Sequence, residues 1–133
     1  MTKSYFNTTV DAKTKKKITD PIYGGTNVSN ARSGIAKYVK SRSYKCSVND
    51  FWYSTYNNFK NGIKNGTPSV LNYWVGNDFG HSILVVGYLI TKDKNGKEHK
   101  YLKVCDGWYN YIRYFCFSDF DCEKSGYSVK VYE

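Results

Sequence analysis

His81 follows Gly80 at the head of an apolar run, Ile83 to Ile90, and Asp106 closes the next such run, Tyr101 to Cys105, just before Gly107-Trp108. An imidazole that gives one nitrogen to a carboxylate is locked in a single tautomer, and its other nitrogen can then take and return a proton. That chemistry requires folding to bring the two residues together. Between the runs lies TKDKNGKEHK (Thr91 to Lys100), whose Asn95-Gly96 is a strong hairpin signal. A hairpin closed there puts the start of the first strand and the end of the second at one end of the sheet. His81 is therefore read as a general base and acid and Asp106 as its orienting partner. Trp108 is read as a core aromatic that also shields the pair from water, and Gly80 as backbone room beside the ring.

The elements that must position this pair follow from periodicity. Val28, Ala31, Ile35, Tyr38 and Val39 recur at helical spacing behind Thr26 and Asn27, either of which can cap, and predict a helix to about Lys40. Tyr44, Cys46 and Val48 alternate as in a half-buried strand. Asn49 or Asp50 is expected to cap a second helix with the stripe Phe51, Trp52, Thr55, Phe59 and Ile63, stopped by Asn65-Gly66. Five strand-type segments follow: Pro68 to Trp74, His81 to Ile90, Lys100 to Asp106, Tyr111 to Phe117 and Tyr127 to Glu133. Their short connections predict an antiparallel meander in an α+β domain.

Composition narrows the function classes. A 133-residue chain that is 41% hydrophobic and 18% aromatic is large enough for one core and is not a disordered chain. No apolar run approaches the ~20 residues of a membrane-spanning helix. Twenty Lys and Arg against eleven Asp and Glu give +9, yet apart from Lys13 to Lys17 the basic residues are dispersed, so nucleic acid is not the expected partner. The polar stretch 1–24 reads as an arm ahead of a single domain over 25–133, and the first residues contain no apolar core of a signal peptide. Cys46, Cys105, Cys116 and Cys122 have no C-x-x-C spacing, so neither a zinc cluster with His81 or His99 nor any cofactor is expected. Cys105, next to Asp106 but on the opposite strand face, reads as a small buried hydrophobe. Cys116 and Cys122 read as core residues or disulfide partners, His99 as a solvated residue of the turn region, and the 14 tyrosines mostly as half-buried sheet positions, with a carbohydrate- or peptide-binding surface as the alternative.

GHSILVVGY followed by YLKVCDGW resembles the His and Asn/Asp segments of papain-like cysteine peptidases. NGIKNGTPSVLNYW resembles the helix and strand that lead into the His in the bacteriocin-processing branch of that group. YNYIRYFCFSDF and YGGTNVSNARSGIAKYVKSRSY resemble the same bacterial proteins, so the likeness runs over roughly residues 20 to 120. It implies the His/Asp half of a papain-like fold, with two helices packed on a twisted antiparallel sheet of about five strands. It also implies thiol-dependent hydrolysis of a peptide or protein substrate, with catalytic His81 and Asp106, in a bacterial parent protein at the cell surface or outside the cell. In the family the nucleophilic cysteine precedes the His on a long helix. No cysteine precedes Tyr44 here, and Cys46, the one cysteine ahead of His81, is the candidate within that order. The expectation is a chain inactive alone, exposing apolar surface and completed by a second copy or by an N-terminal segment. Two alternatives stay open: a non-catalytic papain-like binding module, and a cell-wall peptide amidase of the Cys-His-Asp type.

Overall fold

The computed structural model describes residues 26–76 and 79–133, with Phe79 described by its backbone alone. The arm expected over 1–24, with its Lys13 to Lys17 cluster, lies outside these residues. Among them the chain runs α1 (Val28–Ser41), β1 (Lys45–Phe51), α2 (Tyr56–Lys64), β2 (Ser69–Val75), β3 (Phe79–Lys92), β4 (Glu98–Cys105), β5 (Arg113–Cys116) and β6 (Glu123–Tyr132). The fold is α+β: two helices and one six-stranded sheet in the order β1-β6-β2-β3-β4-β5. The pairs β2–β3, β3–β4 and β4–β5 are the expected antiparallel meander. The last strand departs from it, since β6 pairs antiparallel with the other edge of β2, from Ser69 opposite Ser128 to Trp74 opposite Glu123.

Two compact units divide the chain. One holds the described residues up to Val48 together with Val131–Glu133, and the other is Asn49–Lys130. In the first, α1 starts at the Asn27 cap, whose side chain accepts from Ser29 N at 3.0 Å, and Arg32 Nη2 donates to Val48 O at 3.4 Å.

In the second unit the helix expected from Asn49 or Asp50 begins later. β1 continues to Phe51, and α2 opens at Thr55, where a reciprocal capping box forms. Asn58 Oδ1 accepts from Thr55 N at 2.7 Å and Thr55 Oγ1 accepts from Asn58 N at 3.4 Å. Satisfying two helix-end donors this way outcompetes a cap at Asn49 or Asp50, both exposed strand residues. Trp52, expected on the buried stripe, is 70% exposed as a consequence. The helix ends as expected, at Asn65, with Gly66 in the left-handed region at φ 65°.

α2 lays Tyr56 and Phe59 against β2 and β3. Phe59, Leu71, Val85 and Leu102 are fully buried, and Ile83, Val104 and Phe115 complete the core around them. Burying each such side chain stabilises by about 1.5–3 kcal/mol. Tyr56 sends its hydroxyl to Leu89 O at 3.1 Å, which pins α2 across the β3–β4 hairpin. The face carrying this core is also the face that carries His81, because His81, Ile83 and Val85 alternate along β3.

Candidate active site

The β3–β4 hairpin closes at Asp93–Lys97. Asp93 N donates to Lys97 O at 3.0 Å, and Gly96 takes the left-handed conformation at φ 81°. The Asp93 carboxylate accepts from Asn95 N at 2.8 Å and from Lys97 N at 3.0 Å, an Asx-type turn that fixes the register. The ladder runs from Lys92 opposite Glu98 to Leu84 opposite Cys105, with a bulge between Val85 and Gly87. Asp106 leaves β4 at once, at the same end of the hairpin as His81.

The structure brings His81 and Asp106 together, but through the main chain. His81 Nε2 lies 2.8 Å from the carbonyl oxygen of Asp106. A carbonyl only accepts, so Nε2 carries the hydrogen and donates it, and in the neutral ring the lone pair resides on Nδ1. The carboxylate, expected to be the imidazole's partner, has another task. Its Oδ1 accepts from Trp108 N at 3.0 Å and from Tyr109 N at 3.2 Å, while Oδ2 lies 3.8 Å from Arg113 Nη1. Partial burial raises the Asp106 carboxyl, but those two N–H groups and the guanidinium outweigh it and hold it below the usual carboxylate value.

The turn so held carries Gly107, left-handed at φ 79°, and delivers Trp108 onto the imidazole. The indole and imidazole are stacked, with centroids 4.1 Å apart and planes within 11°. Tyr73, the ladder partner of His81 on β2, meets the ring edge-on at 6.0 Å. The imidazole is thereby held on three sides, by a carbonyl, an indole face and a phenol ring. Trp108 does shield His81 but is no core residue, being 61% exposed. A cavity of about 260 Å³ opens beside the pair, lined by Tyr73, Ile83, Asp106, Trp108, Arg113 and Phe115 among others. The room at Gly80 faces the indole of Trp74, its ladder partner, whose Nε1 would lie 2.7 Å from a Cβ there.

The cysteines fall differently from expectation. Cys46 lies inside β1, nine residues ahead of Thr55, the cap of α2, and so does not stand at a helix N-terminus. Cys105 is exposed rather than buried, because it and its ladder partner Leu84 share a face of the sheet that is open there. Cys116 and Cys122 are half-buried, and all four thiols are free. Burial pushes the Cys122 thiol up, with only partial compensation from Lys124. Among the described residues no group of three His, Cys, Asp or Glu side chains could hold a metal ion, and no helix is long and apolar enough to cross a membrane.

One cluster escaped the sequence reading. His99 does not stand in solvent: its side chain is 23% exposed and lies between Asp93 and Asp119. The register of the Asn95-Gly96 hairpin places His99 near Asp93, a legible signal. Asp119 sits in the turn after β5, and no local pattern announced its approach.

No protein-family model matches the chain, and no curated protein matches it.

Proposed function

We propose that this chain carries the acid–base half of a papain-like thiol hydrolase acting on peptide bonds. His81 is its proton-transfer group and Asp106 its orienting residue. The observation that supports this best is the Nε2–H bond to the Asp106 carbonyl under the Trp108 stack. It places the hydrogen of the neutral ring on Nε2 and so makes Nδ1 the basic nitrogen of an oriented ring, which is what a thiol nucleophile requires of its partner base. In the reaction Nδ1 takes the thiol proton, the thiolate attacks the carbonyl carbon, and the imidazolium returns the proton to the leaving amine. Asp106 contributes its main-chain oxygen to the ring and its carboxylate to the turn that holds Trp108.

In this reading the thiol comes from a second copy or from an N-terminal segment. The parent protein would be bacterial and work at or beyond the cell surface. Exposed apolar residues on the outer face of β3, Leu84 at 41% and Val86 at 38%, fit a missing layer. A non-catalytic papain-like binding module is the second reading, favoured by the exposed aromatics Tyr109, Tyr111 and Tyr114 beside the site.

Histidine NMR and alkylation test both readings together. Long-range nitrogen–proton correlation should find neutral His81 protonated at Nε2, and diethylpyrocarbonate should modify it at Nδ1. A ring found as the Nδ1–H tautomer, or one closed to the reagent, sinks the acid–base role. Iodoacetamide across pH 5 to 9, with His81→Ala as control, should find no thiol that reacts fast at low pH. A cysteine that does so, and slows without His81, makes the chain an enzyme by itself.

A further inference from the structure

We propose that the His99 imidazolium is a protonation-dependent tie that bridges Asp93 in the β3–β4 turn to Asp119 in the turn after β5 and is broken when the ring loses its proton. His99 Nδ1 lies 2.6 Å from Asp119 Oδ2, and Nε2 lies 3.6 Å from Asp93 Oδ2. Both ring nitrogens thus face carboxylates, which only accept. A neutral imidazole has one N–H and must turn a lone pair toward one of the two anions; an imidazolium donates to both.

The neighbours fix which form is favoured. Asp119 Oδ1 takes Lys97 Nζ at 2.9 Å, while its Oδ2 also receives Ser118 Oγ at 3.0 Å and Cys116 Sγ at 3.3 Å. Asp93 Oδ1 is occupied by the amides of its own turn. Lys97 repels the ring's charge, and Lys92 is engaged by Glu98 at 3.9 Å. The hydrogen bond to Asp119 outweighs that repulsion and raises the His99 pKa above its ordinary value of 6.5, while the same bond, with that of Lys97, holds the Asp119 carboxyl well below its own. Asp93 is lowered too, chiefly by the N–H of Asn95. The signs give a window. A raised histidine contributes fully below 6.5 and is lost as pH rises through its folded value; the lowered carboxyls contribute above about 4 and are lost in strong acid.

The tie has a reach beyond the hairpin tip. Asp119 precedes Phe120, whose ring lies 5.5 Å from Phe115 and 6.1 Å from Tyr73, the residue that edges His81. Lys97 makes a second, pH-independent tie from the same turn, so the switch is largest in Lys97→Gln.

The test is a histidine nitrogen titration of the intact chain from pH 4 to 10, assigned with His81→Gln, combined with amide exchange of residues 93–99 and 117–120 corrected for intrinsic rates. His99 should carry both ring hydrogens at pH 6 and titrate above 6.5. Asp119→Asn should lower its midpoint by about one pH unit, a tenfold loss of proton affinity. Exchange protection at the tip should fall about tenfold across the midpoint in Lys97→Gln, and less in the unchanged chain. Should Asp119→Asn fail to fold, Asp93→Asn tests the other end. A midpoint at or below 6.5, or equal protection on both sides of it, overturns the proposal.

Discussion

Alanine substitution at three strand glycines tests the packing that sets the site, because the three differ in what a new Cβ would meet. At Gly126 on β6 it would run into the ring edge of Phe51 and lie 2.7 Å from Val70 O and 3.0 Å from Phe59 Cζ. Val70 belongs to β2, whose Leu71 pairs with Gly126, and Phe59 is fully buried, so neither can withdraw without breaking the ladder or the core. Overpacking of this kind costs about 1–3 kcal/mol, against which reduced freedom of the unfolded chain returns about 0.4–1 kcal/mol. A net loss of about 1.3 kcal/mol, at a urea slope of about 1–3 kcal/mol/M, lowers the midpoint by roughly 0.6 M. At Gly80, next to His81, the obstacle is the half-buried indole of Trp74, with Nε1 at 2.7 Å and Cδ1 at 2.8 Å. That ring borders open space and can swing, so the loss should be about half as large and should appear in Trp fluorescence. At Gly87 the nearest atom is Lys103 Cδ at 3.0 Å, the middle of a flexible side chain, and the midpoint should hardly move. Urea unfolding of the three variants decides the matter. A Gly126→Ala midpoint within about 0.2 M of the parent, or a Gly87→Ala loss exceeding it, refutes the reasoning. Phe51→Ala should recover part of the Gly126→Ala loss, since it removes one of the three obstacles.

Asp106→Asn should keep the Trp108 turn, because Oδ1 alone accepts both amides, and leave His81 protonated at Nε2; Asp106→Ala should free Trp108 from the imidazole, seen as a changed indole emission and as lost ring-current shifts on His81. Thr55→Ala removes one side of the capping box and should cost about 1 kcal/mol by urea unfolding followed at 222 nm. Burial, with Asp50 adding to it, pushes the Tyr127 phenol up to about 12, so one of the 14 tyrosines should ionise well after the rest in an absorbance titration at 295 nm. A folded value above the unfolded value of about 10 means stability is full below pH 10 and drains as pH rises toward 12; Tyr127→Phe should reduce that decline, leaving the smaller part due to the other raised phenols, Tyr56, Tyr73 and Tyr101.

Strand content and the hairpin that pairs β3 with β4 were legible because their signals are local: alternation in Ile83 to Val85 and Leu102 to Val104, and Asn95-Gly96 between them. The start of α2 was misplaced because Phe51 and Trp52 fit a helical stripe as well as a strand end, and only the Thr55–Asn58 box tells the two apart. The return of β6 to β2 was not legible. It depends on Gly126 admitting the rings of Phe51 and Phe59, a contact between residues far apart in the chain. In the site, topology predicted that His81 and Asp106 meet, while side-chain type suggested the wrong atom. An aspartate two residues before a tryptophan in a tight turn has its own backbone amides within closer reach than an imidazole on the next strand.

That exchange of atoms changes how the site should respond to pH. A carboxylate that held the imidazole would lose its grip on protonation, and the ring's orientation would then fail in acid together with the charge of its partner. Here a main-chain carbonyl holds the ring, and a carbonyl has no titration in the working range. The carboxylate's protonation reaches His81 only indirectly, by loosening the Gly107 turn and with it the Trp108 stack. Its pKa is already lowered by the amides it accepts, so the turn persists through mild acid. His81 should therefore keep its Nε2 contact with Asp106 O down to the acid limit of the fold, while the indole stack weakens first. Nuclear Overhauser contacts from His81 to Trp108, followed from pH 7 downward beside the exchange protection of the His81 Nε2–H, separate the two. Simultaneous loss of both would mean that the carboxylate, not the carbonyl, governs the ring after all.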